Sequence, residues 1–207
     1  MKQISIKKYT HHGEWDHYFT SPPSNPIGDV PEIITQKISK ILPKYIKNVY
    51  NFGCSNGRDF IPFQDDYNCI GFDIAPLDYI KWVCKTDNLT YYQCKYQDFT
   101  SDDLFKSIDL SNSLICTTGT LMIGNPLEQN NFIEFLIQKG CKNMVFQEYG
   151  PASRVPHQKL HLNEDLLPLF TQKIYRQEVV SFINLDIDNE TLSTLDDLPY
   201  EGDVNLV

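Results

Sequence analysis

Nothing in this chain is apolar for long enough to span a membrane, its six cysteines form no C-x-x-C pair, and positive charge is in the minority. Each absence removes a class of function. With 18 Lys and Arg against 27 Asp and Glu, the formal net charge of −9 repels polyphosphates and argues against nucleic acid as the main partner. The basic cluster Lys37, Lys40, Lys44 and Lys47 has near-helical spacing and reads as the wet face of one helix. The first residues, Met1-Lys2-Gln3-Ile4-Ser5-Ile6-Lys7-Lys8, lack the apolar centre of a secretory signal, so no membrane partner is expected. Cysteines 54, 69, 84, 94, 116 and 141 lie partly in apolar runs such as Leu114-Ile115-Cys116, as reduced and buried thiols do. Together these features predict a cytoplasmic protein. No His-Cys-Cys group or H-x-x-x-H set has convincing metal spacing, and Asp186-Ile187-Asp188-Asn189-Glu190 lacks the glycine and length of a calcium loop, so no metal is expected.

What is present is enough apolar surface for one core: 207 residues, 41% of them hydrophobic. Two stretches stand outside the regular pattern. Residues 1–30, rich in His, Pro and aromatics, read as a lid or extension, and 31–207 as a single domain. Within the latter, apolar runs alternate with amphipathic ones: helix 31–47, strand 48–52, strand 69–74, helix 77–85, strand 91–96, helix 102–108, strand 113–117, helix 128–139 and strand 143–147. A strand over 177–185 follows, with 203–207 as a possible antiparallel partner. Such alternation predicts an α/β fold, a doubly wound, mostly parallel seven-stranded sheet with helices on both faces. Ligands of such sheets bind beyond the carboxyl ends of the strands.

The turn Asn51-Phe52-Gly53-Cys54-Ser55-Asn56-Gly57 leaves an apolar strand, and its glycines let backbone approach a ligand closely. The next strand, Cys69-Ile70-Gly71-Phe72-Asp73, ends in a carboxylate about 20 residues beyond the first glycine, the separation at which an acid meets ribose hydroxyls. In these two segments, and in the continuation Ile74-Ala75-Pro76, the chain resembles the class I S-adenosylmethionine-dependent methyltransferases. Their turn usually reads as an acid, an apolar residue, then Gly-Cys-Gly-x-Gly, and this chain departs from it at Asn51 and Ser55. The resemblance spans roughly 49–149 and implies a Rossmann-like methyltransferase fold with S-adenosylmethionine as cofactor. It assigns the methionine part to Gly53, Cys54, Ser55 and Gly57, and the ribose to Asp73 with neighbouring Ile74. The adenine falls to Asp98 and Phe99, and the methyl group lies beside Thr117.

Gly53-Cys54-Ser55-Asn56-Gly57 also satisfies the G-x-S-x-G elbow of serine hydrolases, with Ser55 as nucleophile, but only one strand precedes it where that fold requires several. A dinucleotide fingerprint fails at Ser55 and Arg58. Methyl transfer is a displacement that needs orientation, exclusion of water and, for a hydroxyl acceptor, a base. His157 is the first candidate base, because an imidazole titrates near neutral pH. Glu148 is the second catalytic candidate. Trp15, Tyr18, Tyr149, Arg154 and His161 are candidate contacts for a small-molecule or glycan substrate, with a sugar hydroxyl favoured. The rival class is a non-catalytic partner subunit that keeps the cofactor crease.

Overall fold

The computed structural model describes residues 2–5, 33–80, 83, 84, 86–149, 160–175 and 178–184. Among them are eight strands: β1 Lys2–Ser5, β2 Asn48–Phe52, β3 Asn68–Asp73, β4 Leu89–Gln93, β5 Ser113–Thr118, β6 Asn143–Tyr149, β7 Thr171–Tyr175 and β8 Glu178–Asn184. They form one sheet in the order β1-β4-β3-β2-β5-β6-β8-β7. The first six run parallel to one another, while β8 runs antiparallel to both β6 and β7.

This corrects the expected doubly wound, seven-stranded architecture. A centre of five parallel strands, β4-β3-β2-β5-β6, is extended by β1 at one edge and by the β8-β7 pair at the other. Helical content among the described residues is also low. The α-helices among the described residues are α1 Ile33–Ile38, α2 Leu77–Ile80, α3 Tyr96–Ser101 and α4 Pro126–Gln138, and only α4 exceeds two turns. Several connections use single 3-10 turns instead, at Arg58–Phe60, Asp103–Phe105, Leu121–Ile123 and Leu167–Leu169. No helix among the described residues is long and apolar enough to cross a membrane.

The central strands are nearly continuous in apolar residues because both faces are covered. Val49, Cys69, Leu89, Leu114 and Val145 point to one face, where Ile38, Phe60 and Ile80 pack on them. Tyr50, Phe52, Phe72, Ile115, Met144 and Phe146 point to the other, against Phe99, Phe132, Ile133 and Leu136 of α3 and α4. On that second face the rings of Phe52 and Phe72 stack at 4.3 Å and those of Phe72 and Tyr92 at 5.0 Å. Phe99 and Phe132 meet Phe52 edge-on at 4.9 and 4.8 Å. An aromatic ladder thus runs across three strands and gives their upper ends a stiff floor, each ring pair adding about 0.5–1.5 kcal/mol beyond its buried area.

Local chemistry explains where expected elements stop. The helix foreseen over 31–47 is described as α1 alone; the Ser39 hydroxyl donates back to Gln36 O, and Pro43 bars its resumption. The helix foreseen over 102–108 is broken by Asp102, which is extended and turns its carboxylate to the Leu104 amide, so α3 ends before it and a 3-10 turn begins after it. Helix α4 starts at a capping box, where Asn125 accepts from the Glu128 amide and Glu128 from the Asn125 amide. The 203–207 strand and the 1–30 lid lie outside the described residues, except that residues 2–5 pair as β1 within the sheet.

Candidate functional site

Strand order reverses at β2, which has β3 on one side and β5 on the other. In parallel sheets the crevice for a ligand opens at such a reversal, beyond the carboxyl ends. One wall of this crevice is the turn after β2. Its three consecutive amides all donate to the end of β3: Gly53 N at 2.7 Å and Cys54 N at 3.2 Å to the Phe72 carbonyl, and Ser55 N at 2.7 Å to Asp73 Oδ2. The other Asp73 oxygen, Oδ1, accepts from Ala75 N at 2.9 Å. Beneath it the Tyr91 hydroxyl reaches the Asp73 carbonyl at 2.8 Å and the Ala75 carbonyl, and Gln93 Nε2 donates to Ile74 O at 3.1 Å.

The turn needs left-handed backbone at Gly53 (φ 73°), Ser55 (φ 48°) and Gly57 (φ 80°). A Cβ at Gly53 would fall on Thr120 Oγ1 and only 2.8 Å from Thr120 Cβ, so glycine is demanded there twice over. Ser55 is the strained member, since a residue with a Cβ is disfavoured in this region by about 1–2 kcal/mol. Two oxygens of this wall, Asn51 Oδ1 and Ser55 Oγ, are buried without a hydrogen-bond partner. Unpartnered buried acceptors are costly and mark a place where a donor-bearing group fits.

The opposite wall is the loop after β5. Gly119 N donates to Gln147 O at 2.8 Å, which turns the chain, and the loop then closes over Glu148. That carboxylate is fully buried and accepts four hydrogen bonds: from Thr117 Oγ1 at 2.7 Å and from the amides of Thr120, Leu121 and Met122, each at 3.2 Å. Burial pushes its carboxyl up to about 7 against the downward pull of these donors. Burial likewise raises the Cys54 thiol well above its usual range, with Asp73 adding to the effect, so Cys54 stays protonated and packs as a small hydrophobe.

The structure brings Gly53, Cys54, Ser55, Gly57, Asp73 and half-buried Ile74 together along one wall and places Thr117 at the foot of the other. Asp98 is buried and its Oδ2 accepts the Lys95 amide at 3.0 Å as the start of α3. Phe99 lies wholly inside the aromatic core. Glu148 is beneath its loop, not at the loop's surface, a correction to its expected place among groups that meet substrate. His161 is exposed and its backbone is held beside α4, with its amide on Gln129 Oε1 at 2.7 Å and its carbonyl on Asn130 Nδ2 at 2.9 Å. Tyr149 ends β6, and only its backbone is described. Trp15, Tyr18, Arg154 and His157 lie outside the described residues. Thr120, Tyr91 and Gln93 are site-building residues that the sequence reading missed; the turn-forming Gly119 was the available signal for Thr120.

The elbow reading of Ser55 fares poorly on this geometry. Its left-handed backbone is what a nucleophile elbow requires, yet its Oγ is buried and touches no hydrogen-bonding group, so no base activates it among the described residues. No group of three or more His, Cys, Asp or Glu among the described residues is arranged to hold a metal ion.

No protein-family model matches the chain, and no curated protein matches it by sequence. Solved structures do match by shape. The N-methyltransferase NodS from Bradyrhizobium japonicum WM9 superposes with a TM-score of 0.51 at 13% identity, covering 72% of this chain and 90% of that one. The 1,6-didemethyltoxoflavin-N1-methyltransferase of Burkholderia thailandensis, solved with its acceptor and S-adenosylhomocysteine, gives 0.51 at 13% identity, covering 73% and 78%. A TehB-like methyltransferase from Corynebacterium glutamicum gives 0.50 at 14%, covering 78% and 90%. With the crevice at β2 and the glycine turn tied to the acid of β3, these likenesses establish the class I S-adenosylmethionine-dependent methyltransferase fold for this chain.

Proposed function

We propose that the chain is an S-adenosylmethionine-dependent methyltransferase acting on a small polar acceptor, with the hydroxyl of a sugar or glycan as the favoured target. The observation that carries the cofactor assignment is the pair of buried, unpartnered oxygens, Asn51 Oδ1 and Ser55 Oγ, in the wall that Asp73 holds. The ammonium of an amino-acid moiety supplies the donors these two acceptors lack. Asp73 serves the ribose, since a carboxylate offers about four acceptor positions and its bonds to the Ser55 and Ala75 amides are compatible with hydroxyl donors. The Asp98 side and the walls around Ile74 would flank the base. When bound, the cofactor supplies an electrophilic methyl group on a sulfonium centre; the protein orients the acceptor and excludes water.

His157 remains the proposed base for a hydroxyl acceptor, with Trp15, Tyr18, Tyr149, Arg154 and His161 as proposed acceptor contacts. The charge of −9 favours a neutral or cationic acceptor over a polyanion. A cytoplasmic setting and a single catalytic domain over 31–207, with 1–30 as an extension whose residues 2–5 join the sheet as β1, complete the reading.

Titration calorimetry with S-adenosylmethionine and S-adenosylhomocysteine tests the cofactor assignment. Binding of neither at millimolar concentration would sink it. Formation of S-adenosylhomocysteine across a panel of nucleotide sugars, oligosaccharides, amines and carboxylic acids identifies the acceptor. In that assay His157→Ala should abolish turnover on a hydroxyl while leaving cofactor binding intact, and full turnover would remove His157 from the role of base.

A further inference from the structure

We propose that Glu148 is a positioning residue for methyl transfer: by gathering Thr117 Oγ1 and the amides of Thr120, Leu121 and Met122, it latches the loop after β5 against Gly53. The proposal rests on the cofactor reading above and assigns that site its second wall. Three observations carry it. The carboxylate is fully buried, so it touches no substrate, yet it converges four donors that come from the end of β5 and the first turn beyond it. Such a burial is unfavourable unless the donors are fixed, and a loop whose amides converge on one buried carboxyl group has few other conformations open to it. Next, Thr120, whose amide bonds Glu148, places its side chain in the space that a Cβ on Gly53 would need. The loop and the glycine turn are therefore in register through direct contact. Finally, β2 and β5 are neighbours, with Phe52 opposite Thr117, so the latch closes on the crevice where strand order reverses.

Glu148 therefore acts on the amino-acid end of the cofactor through the loop and turn, without meeting the cofactor itself. A residue needed only for folding would weaken all ligands alike or none. Glu148→Gln separates these cases, since its amide keeps the shape but sets an N–H donor against the Met122 amide. Thr117→Val, which removes one donor from the same carboxylate, serves as the second variant.

Two readouts decide the matter at a temperature where both variants remain folded. In calorimetry, Glu148→Gln should weaken S-adenosylhomocysteine by about tenfold and 5′-methylthioadenosine, which lacks the amino-acid end, by less than about twofold; Thr117→Val should follow in the same direction with a smaller change. Amide hydrogen exchange should accelerate at residues 119–122 and stay unchanged in β3. Equal weakening of both ligands, or unchanged exchange in the loop, would overturn the latch. If the wild-type chain binds neither ligand, the cofactor reading and the functional part of this proposal fall together, and the exchange pattern still shows whether Glu148 holds the loop.

Discussion

Asp73 Oδ2 accepts the backbone N–H of Ser55 at 2.7 Å, and with this bond the end of β3 fixes the turn after β2. The acid expected only as a ligand group is also a structural one. The proposed ligand role and the structural one share a position: a carboxylate at the carboxyl end of β3 holds the amides of the neighbouring turn and stays half-exposed.

Asp73→Ala should accordingly lower affinity for S-adenosylmethionine by about 1.5–3 kcal/mol, the worth of hydrogen bonds to a charged group. Asp73→Asn, which retains an acceptor, should lose less. Calorimetry on the two variants measures the difference, and undiminished affinity in Asp73→Ala would refute the ribose role.

Ser55 is out of place energetically. Glycine there removes a left-handed penalty of about 1–2 kcal/mol and adds about 0.5–1 kcal/mol of unfolded-state freedom, so the backbone change is net stabilising. Ser55→Gly should raise Tm by about 1–4 °C. It should at the same time weaken cofactor binding, because the buried Oγ is lost. A fall in Tm measured by calorimetric scan would contradict the strain argument.

Gly53 and Thr120 should behave as a coupled pair. Gly53→Ala forces a Cβ into Thr120 and strains φ as well, a combination expected to destabilise by about 2–4 kcal/mol. Adding Thr120→Gly relieves the overlap but not the strain. The double-mutant cycle, read by urea unfolding, should show coupling of at least about 1 kcal/mol, and strict additivity would mean the loop and turn do not touch.

Glu148 predicts a pH dependence of stability. Its carboxyl titrates near 7 in the folded chain against 4.5 for the unperturbed group, so between those values the folded state keeps a proton that the unfolded state releases. The contribution is full below about 4.5 and lost as pH rises through 7, amounting to roughly 3 kcal/mol. Tyr96 faces the same carboxylate and stays neutral across this range, its hydroxyl pushed up by burial and by nearby Glu128 and Glu148. Urea unfolding of wild type and Glu148→Gln from pH 5 to 8 should show the downward slope in the first and its absence in the second.

Much of this site was legible in the sequence, for a physical reason. Asn48–Phe52 and Asn68–Asp73 are short apolar runs ended by glycine or acid, and local composition determines such strands almost alone. Lys2–Ser5 and Thr171–Tyr175 escaped because short, polar strands are made by their partners: β1 exists through β4, and β7 through β8. Asp98 and Phe99 stand after β4 as foreseen, and their structural duties, Asp98 as a cap of α3 and Phe99 in the aromatic core, are what position alone does not show. Nor does any one-dimensional signal reveal that three amides from residues 120–122 converge on Glu148, since the convergence is created by the turn at Gly119.

Edge strand β1 has a further consequence for biosynthesis. It leaves the ribosome ahead of β2 and β3, whereas the strand it must join, β4, follows them. The sheet therefore cannot be completed in order of translation, and its final closure is a long-range event of the slow kind. Until then β4 presents an open row of backbone donors and acceptors, so trimming residues 2–5 should move the sheet's open edge from β1 to the longer β4 and favour self-association over loss of the crevice.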